Sequence, residues 1–181
     1  MRKSREEAAQ TRRRIVEAAS CEFRKNGVVA TGLNDLMKAA GLTHGGFYKH
    51  FASKDQLVAE ATTAALDALL EGMAAHPTTS AVAAYLSTRH RDDPASGCPL
   101  AALGSELSRS DRAAREAATA GFVRLVKILA GKAGTADARR RALVAAATMI
   151  GAVTMSRVVT DPELSAEILR EAEKTVMAAR S

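Results

Sequence analysis

Apolar residues recur every three to four positions along each long segment of this chain, and no segment alternates apolar with polar side chains. A period near 3.6 places one apolar stripe along a helix, whereas a half-buried strand requires a period of two. The composition agrees, because 47% of the residues are hydrophobic but there is no Trp and only four Phe and two Tyr. Strands depend on aromatic and β-branched residues. The sequence therefore predicts an all-α fold.

Glycine and proline divide this helical pattern into segments. Gly27 ends a first helix over residues 6–26, and Gly41 ends a short helix over residues 33–40. A third helix is predicted over residues 44–50, and a longer one begins at residue 54 and ends before the His76-Pro77 pair. Further helices are predicted over residues 78–90, 100–108, 111–131, 136–159 and 163–180.

The excess positive charge lies in the first third of the chain. The net charge is +6, and residues 1–54 hold 11 Lys/Arg against five Asp/Glu, whereas residues 55–181 hold 15 of each. A charge that serves only solubility has no reason to segregate in this way. A phosphate-binding module attached to a neutral domain would concentrate the positive charge in one part of the chain.

The basic third contains a helix-turn-helix pattern, in which the turn Gly41-Leu42-Thr43 joins two short helices. Thr43 and Ser53 are the predicted N-caps of the two helices that follow them. Leu36, Phe47 and Phe51 are expected to face the first helix. The residues left on the outer face are polar, basic or glycine: Thr43, His44, Gly45, Tyr48, Lys49 and His50. This composition predicts a surface that lies against DNA.

Two motifs connect this pattern to a known family. Residues 11–19 read T-R-R-R-I-V-E-A-A, and residues 45–57 fit G-x-F-Y-x-H-F-x-S-K-x-x-L. With these motifs, residues 10–60 resemble the DNA-binding domain of the TetR/AcrR family of transcriptional repressors. The resemblance implies a homodimer that binds double-stranded operator DNA, with a recognition helix at residues 44–50 in the major groove.

The resemblance also implies individual DNA contacts. Tyr48 and His50 would contact phosphate, Thr43, His44 and Lys49 would lie at or near bases, and Thr31 and Lys54 would hold the flanking backbone, with Gly45 allowing close approach. The chain departs from the family pattern at two positions. Gly32 stands where the family usually has Ser or Thr, and Gly46 removes one possible base contact.

The remainder of the chain is predicted to regulate DNA binding. We divide the sequence into a DNA-binding domain over residues 1–53 and a helical effector-binding and dimerisation domain over residues 54–181. In the resembling family the last two helices of each subunit form a four-helix bundle, which implies a dimer surface on residues 141–158 and 163–180. Ala147 and Gly151, four residues apart, would let helices approach closely.

An unknown small-molecule effector is expected among the central helices, over residues 78–131, as in the resembling family. The candidate lining residues are Tyr85, Leu103, Leu107 and Phe122, although each of them is also a plausible core residue.

Cys98 is a second candidate for effector sensing. It precedes a predicted helix, and a thiol at a helix N-terminus can have a lowered pKa. The sequence Gly97-Cys98-Pro99-Leu100 resembles a branch of the family whose cysteine senses electrophiles or oxidants. A partly buried structural cysteine is the alternative.

Two other function classes remain open from the sequence. One is a thiol or hydrolytic enzyme that uses Cys98 with His76 or His90, although no catalytic motif supports it. The other is an architectural DNA-binding protein that is indifferent to sequence. No cofactor, no metal site and no membrane segment are expected. Together with the absence of a secretory leader, this predicts a cytoplasmic protein.

Overall fold

The computed structural model describes residues 2–179, and within them every regular element is a helix. The predicted all-α fold is confirmed. The α-helices are α1 (Arg2–Asn26), α2 (Leu33–Ala39), α3 (Lys54–Ala74), α4 (Thr78–Tyr85), α5 (Thr88–Asp92), α6 (Pro99–Leu107), α7 (Arg112–Ala130), α8 (Ala136–Val158) and α9 (Pro162–Ala178). A 3₁₀ helix, η1 (His44–Lys49), follows α2, and a short 3₁₀ turn, Gly131–Ala133, follows α7.

Several helix ends follow the sequence signals. Gly27 and Gly41 have φ angles of 85° and 69°, a left-handed conformation that glycine adopts without steric cost. The Ser53 hydroxyl accepts a hydrogen bond from the Gln56 amide at 3.1 Å, so its predicted N-cap is confirmed. Pro99 occupies the first turn of α6, where its missing N–H leaves no hydrogen bond unmade.

Two predictions about helices were wrong. The predicted helix over residues 78–90 is two helices, because the chain turns after Tyr85 and the Ser87 hydroxyl caps α5 by accepting from the His90 amide at 3.2 Å. Thr43 precedes η1 but its side chain makes no capping bond. The helix predicted over residues 44–50 is present as the 3₁₀ helix η1, and this form agrees with its short length and its two glycines. Residue 180, at the end of the last predicted helix, lies outside the described residues.

The core consists of two hydrophobic clusters. The first joins α1, α2, η1, the beginning of α3 and the end of α6 around Ile15, Phe23 and Phe47. The second joins the rest of α3 to α4 and α6 to α9 around Leu66 and Met149. Helices α3 and α6 each contribute to both clusters, so they connect the basic N-terminal region to the rest of the molecule.

Helix α8 is long and apolar enough to cross a membrane by length and composition, with a mean hydropathy of 1.2 over its best window. Its Ala142, Ala146, Met149 and Val153 side chains are nevertheless buried in the second cluster. A buried helix in a protein core meets the same criterion of length and hydropathy. Within the described residues we therefore interpret α8 as a core helix.

Candidate functional site

The outer face of η1 is exposed on the surface of the N-terminal region. Phe47 is fully buried and stacks on Phe51, with ring centroids 5.6 Å apart. This anchor turns Tyr48 and Lys49 outward, and the Tyr48 side chain is 67% exposed. Thr43, His44 and Gly45 are exposed beside them, whereas His50 is half-buried. The structure thus brings five of the eight predicted DNA-binding residues together on one open surface.

The charge of this surface suits a polyanion. Residues 43–54 contain two lysines and two histidines and no acidic residue. At Gly45 an added Cβ would meet nothing within 4 Å, so a ligand has free access to the backbone there. Phosphate contacts supply most of the affinity of a DNA-binding protein. Because residues 43–54 contain no carboxylate, none of these residues would repel the phosphates.

Arg12 of α1 holds the end of η1 in place. Its guanidinium donates to the His50 carbonyl oxygen, pairs with the Glu60 carboxylate and lies over the Phe51 ring at 4.1 Å from the centroid. The family motif around residues 11–19 therefore contains a residue that positions the recognition segment. His50 is half-buried, and its backbone carbonyl oxygen is the acceptor in this contact with Arg12.

Thr31 and Lys54 occupy positions that differ from the sequence expectation. Thr31 is buried, and its hydroxyl donates to the Gly27 carbonyl oxygen at 2.5 Å. The Lys54 ammonium donates to the carbonyl oxygens of Val28 and Thr31 at 2.6 and 2.7 Å. Both side chains tie together the turn between α1 and α2, because their polar atoms are engaged by the protein's own backbone.

Two charged residues that sequence reasoning missed connect α6 to the N-terminal region. The Glu106 carboxylate accepts from the backbone amides of Val28 and Val29 at 3.0 and 3.1 Å. At the other end of α6, the buried Arg24 guanidinium donates to the Gly97 carbonyl oxygen at 2.7 Å. Nothing in the sequence around either residue signals these contacts, since the partners are backbone atoms more than seventy positions away.

A groove of about 760 Å³ lies between the second half of α3, α4, α5 and the loop before α6. Its walls include Leu69, Met73 and Tyr85. Of the predicted effector-binding residues, only Tyr85 lines this groove. Leu103 and Leu107 are buried against α1 in the first cluster, and Phe122 is half-buried against the second.

Cys98 lies just behind the groove and is fully buried. Burial raises the pKa of its thiol, and the adjacent Tyr85 hydroxyl lowers it to a smaller extent. The predicted lowering of this pKa by the helix N-terminus is therefore wrong. Within the described residues the Tyr85 hydroxyl has no nitrogen or oxygen partner, and one Arg157 nitrogen, Nη1, is likewise buried without one.

Both ring nitrogens of His90 contact backbone atoms beside Cys98 and Tyr85. Its Nε2 accepts from the Cys98 backbone amide at 2.8 Å, and its Nδ1 lies 2.6 Å from the Tyr85 carbonyl oxygen. An acceptor at Nε2 requires the neutral ring with its proton on Nδ1. Desolvation lowers the pKa of His90, which favours the same neutral form. His90 is thus bound to the Cys98 backbone and does not act as a base toward its thiol.

Comparison with known proteins identifies the family to which this chain belongs. Residues 15–61 match the bacterial regulatory proteins of the TetR family, and residues 63–174 match the LmrA/YxaF-like C-terminal domain of transcriptional regulators. The chain belongs to the TetR family. It is a transcriptional regulator of the TetR type and not an enzyme, so the catalytic alternative for Cys98 falls away.

Similarity to individual TetR-family proteins extends over only part of the chain. The regulator TtgR from Pseudomonas putida is 45% identical over 71 residues, which are 39% of this chain and 32% of TtgR. The matched stretch thus covers well under half the length of this relative.

Solved TetR-family structures match nearly the whole fold. A TetR regulator from Chloroflexus aurantiacus has a TM-score of 0.73 at 29% identity, covering 97% of this chain and 94% of that one. Reduced NemR from Escherichia coli has a TM-score of 0.75 at 20% identity, covering 92% and 95%. At this identity NemR supports the fold alone. The resemblance of residues 97–100 to a cysteine-sensing branch stays a prediction.

Proposed function

We propose that this TetR-family protein is a homodimeric repressor that binds a palindromic operator through η1 of each subunit and is released by a small-molecule effector. The observation that carries the proposal is the exposed, carboxylate-free face of η1, fixed from behind by Phe47 and Arg12. Tyr48 and Lys49 contact the duplex, and Thr43, His44 and Gly45 line the approach. Thr31, His50 and Lys54 act mainly by holding this surface in position.

A second copy of the chain is proposed to cover the exposed side of α8. Val144, Met155 and Val158 are 63%, 48% and 64% exposed, and Ala147 and Gly151 lie between them on the same face. Val144 to Val158 is an apolar strip about four turns long, and small residues in its middle permit close helix packing. The opposite face of α8, including Ala146, belongs to the monomer core. On α9 the proposed surface includes Leu164, whereas Leu169 and Val176 are buried within the subunit.

A dimer supplies the geometry that operator binding requires. One helix-turn-helix reads few base pairs, and two-fold symmetry places two of them about 34–36 Å apart on successive major grooves. An effector that favours a different spacing or tilt of the two η1 segments then lowers operator affinity by shifting populations. We retain residues 1–53 and 54–181 as the proposed DNA-binding and regulatory domains, in a cytoplasmic protein.

Helix α6 is the proposed route from effector to DNA. The groove is lined by Ser96 and Gly97, directly before α6, and the Gly97 carbonyl oxygen is bound by Arg24 of α1. Glu106 binds the turn that follows α1. A ligand that displaces residues 96–97 therefore acts on α1 through the buried hydrogen bond from Arg24 to Gly97, and α1 carries the Arg12 contact to η1.

Release through thiol modification at Cys98 is the slower alternative. The thiolate is the reactive form of cysteine, and burial that raises the thiol pKa suppresses it. The residue also makes no open contact with the groove, because it is fully buried. Electrophiles would reach Cys98 only after local opening of the α5–α6 loop. We therefore prefer release by ligand binding in the groove over release by thiol modification.

Selection of DNA sequences bound in vitro tests the proposal. A repressor should enrich one inverted repeat and prefer it over random duplex by roughly 10³-fold or more at moderate salt. An architectural protein would enrich no sequence. Failure to prefer any duplex would overturn the proposed function.

Variants on η1 and a matched control give the second arm of this test. Lys49→Gln should weaken operator binding about tenfold and reduce the salt dependence by about one counterion per subunit, or about two per dimer. Tyr48→Ala should weaken binding without loss of helix content. Lys127→Gln removes an exposed cation of α7 instead, and it should leave operator affinity unchanged.

A further inference from the structure

We propose that the α3–α5 groove binds an anionic amphiphile, a molecule with an apolar body and one acidic group, and that Arg89 recognises the acidic group. The inference rests on the proposed function, in which this groove holds the effector. It goes further by assigning the chemical class of the ligand. At about 760 Å³ the groove is within the size range of sites for small organic molecules.

The apolar body of the ligand would lie against α3 and α4. These helices line the groove with Leu69, Met73, Ala81 and Ala84. Gly72 belongs to the same wall, and a Cβ added there would meet nothing within 4 Å. The wall is therefore smooth and open at its centre, so that it accommodates a flat or extended apolar group.

Most of the polar lining residues lie on α5 and in the segments that flank it, and His76 and Ser80 add two polar groups on the α3–α4 side. Arg89 is exposed there, and within the described part of the chain its guanidinium makes no ion pair or hydrogen bond. A guanidinium offers several donors in a planar arrangement that matches a carboxylate or sulfonate. An anionic group on the ligand would give Arg89 the partner that the protein does not supply.

The other charged and titratable groups at this end favour an anion over a cation. The Asp93 carboxylate accepts from the Ser96 hydroxyl and backbone amide, so it is already occupied. His90 is neutral, because its ring nitrogens are bound to the Cys98 amide and the Tyr85 carbonyl oxygen. Arg89 is thus the groove-lining charge without a partner inside the described protein, whereas the Asp93 carboxylate keeps its charge and is held in the loop by Ser96.

Two fluorescent probes with the same aromatic body separate the charge from the apolar contact. 1-Anilinonaphthalene-8-sulfonate carries a sulfonate, and N-phenyl-1-naphthylamine is its neutral counterpart. The full-length protein, titrated without DNA, should bind the sulfonate probe about two- to fivefold more tightly, the usual order for one exposed charge-assisted contact. Arg89→Gln should abolish this difference and leave the affinity for the neutral probe within about twofold.

Two further variants locate the binding and control for charge. Gly72→Leu fills the apolar wall and should reduce binding of both probes, while the replacement of a helical glycine favours folding. Arg115→Gln removes an exposed cation of α7 that does not line the groove, and it should leave both affinities unchanged. Equal binding of the two probes, or an Arg89→Gln protein that still prefers the sulfonate, would overturn the assignment. So would sulfonate binding that Gly72→Leu does not reduce.

Failure of the proposed function gives a different result. A protein that binds the sulfonate probe as described but does not prefer any duplex retains the anion-binding groove and loses the repressor assignment. A protein that prefers an operator but does not discriminate between the probes retains the repressor assignment and loses the ligand class. Decanoate and decylamine, used as competitors of the sulfonate probe, extend the test to an aliphatic body: decanoate should compete and decylamine should not.

Discussion

Replacement of Glu106 tests whether α6 is fastened to the N-terminal region as the structure indicates. The carboxylate accepts two backbone N–H groups, from Val28 at 3.0 Å and Val29 at 3.1 Å. A hydrogen bond to a charged group contributes about 1.5–3 kcal/mol when buried. Glu106 and Val28 are only half-buried and Val29 is exposed, so water replaces part of the lost interaction. We expect Glu106→Ala to lower the free energy of unfolding by about 2 kcal/mol in total.

Glu106→Gln is the finer perturbation. The oxygen of the new side-chain amide accepts a hydrogen bond from one of the two backbone N–H groups. Its NH₂ group faces the other backbone N–H, and two donors cannot form a hydrogen bond with each other. The loss should therefore be about 1 kcal/mol, half that of the alanine variant. For a domain of this length, 1 kcal/mol corresponds to about 2–4 °C in the melting temperature.

Urea and thermal unfolding at fixed protein concentration measure these losses, since a dimer makes apparent stability depend on concentration. Glu116→Ala is the control, because Glu116 forms an exposed ion pair with Arg112 one turn away and such pairs contribute about 0.3–0.5 kcal/mol. If Glu106→Ala costs no more than Glu116→Ala, the carboxylate does not fasten α6 to the turn, and the proposed route from groove to DNA loses one of its two attachments.

Three further predictions concern the dimer, the pH dependence and the cysteines. Light scattering should report a dimer of about twice 19.0 kDa for the wild-type protein and a monomer for Val144→Glu. Val29→Glu, which also changes an exposed valine, should remain a dimer. A wild-type monomer at micromolar concentration would contradict the proposed dimer. The lowered pKa of folded His90 means that the unfolded chain binds the proton first, so stability should fall as the pH decreases below about 6.5. His90→Gln should flatten this dependence and His76→Gln, on an exposed histidine, should not. Ellman's reagent should modify the exposed Cys21 rapidly and the buried Cys98 only on unfolding; rapid modification of Cys98 in the Cys21→Ser protein would favour thiol sensing instead.

Local sequence signals predicted the helices well because each signal acts within a few residues. Gly27 and Gly41 end helices through their own backbone angles, and Ser53 caps α3 through an amide three positions away. The same locality explains the errors. Whether Thr43 caps η1 depends on how two glycines bend the following turn, and the break after Tyr85 has no proline or glycine to mark it.

Periodicity also identified buried residues without identifying their partners. Leu103 and Leu107 are buried as their spacing predicts, but α6 packs this face on α1 rather than on the effector groove. A similar ambiguity affects charge. Lys54 lies in a basic segment that favours a DNA contact, yet its ammonium is bound by two carbonyl oxygens of the neighbouring turn. Only the folded chain brings such backbone acceptors together.

The attachment of α6 at both ends bears on how much regulation this fold can deliver. Nine residues, Pro99–Leu107, make a rod about 13 Å long, held by Arg24 at one end and by Glu106 at the other. A rod attached at both ends transmits a displacement of Gly97 to α1 instead of absorbing it. Breaking the buried bond from Arg24 to the Gly97 carbonyl oxygen would cost about 1–3 kcal/mol, which is the usual range of coupling free energies between two sites. A ligand that gains this much more in the displaced state than in the operator-bound state would lower DNA affinity about 5- to 150-fold, so one contact of this strength supplies enough free energy for the proposed coupling between the groove and the recognition surface.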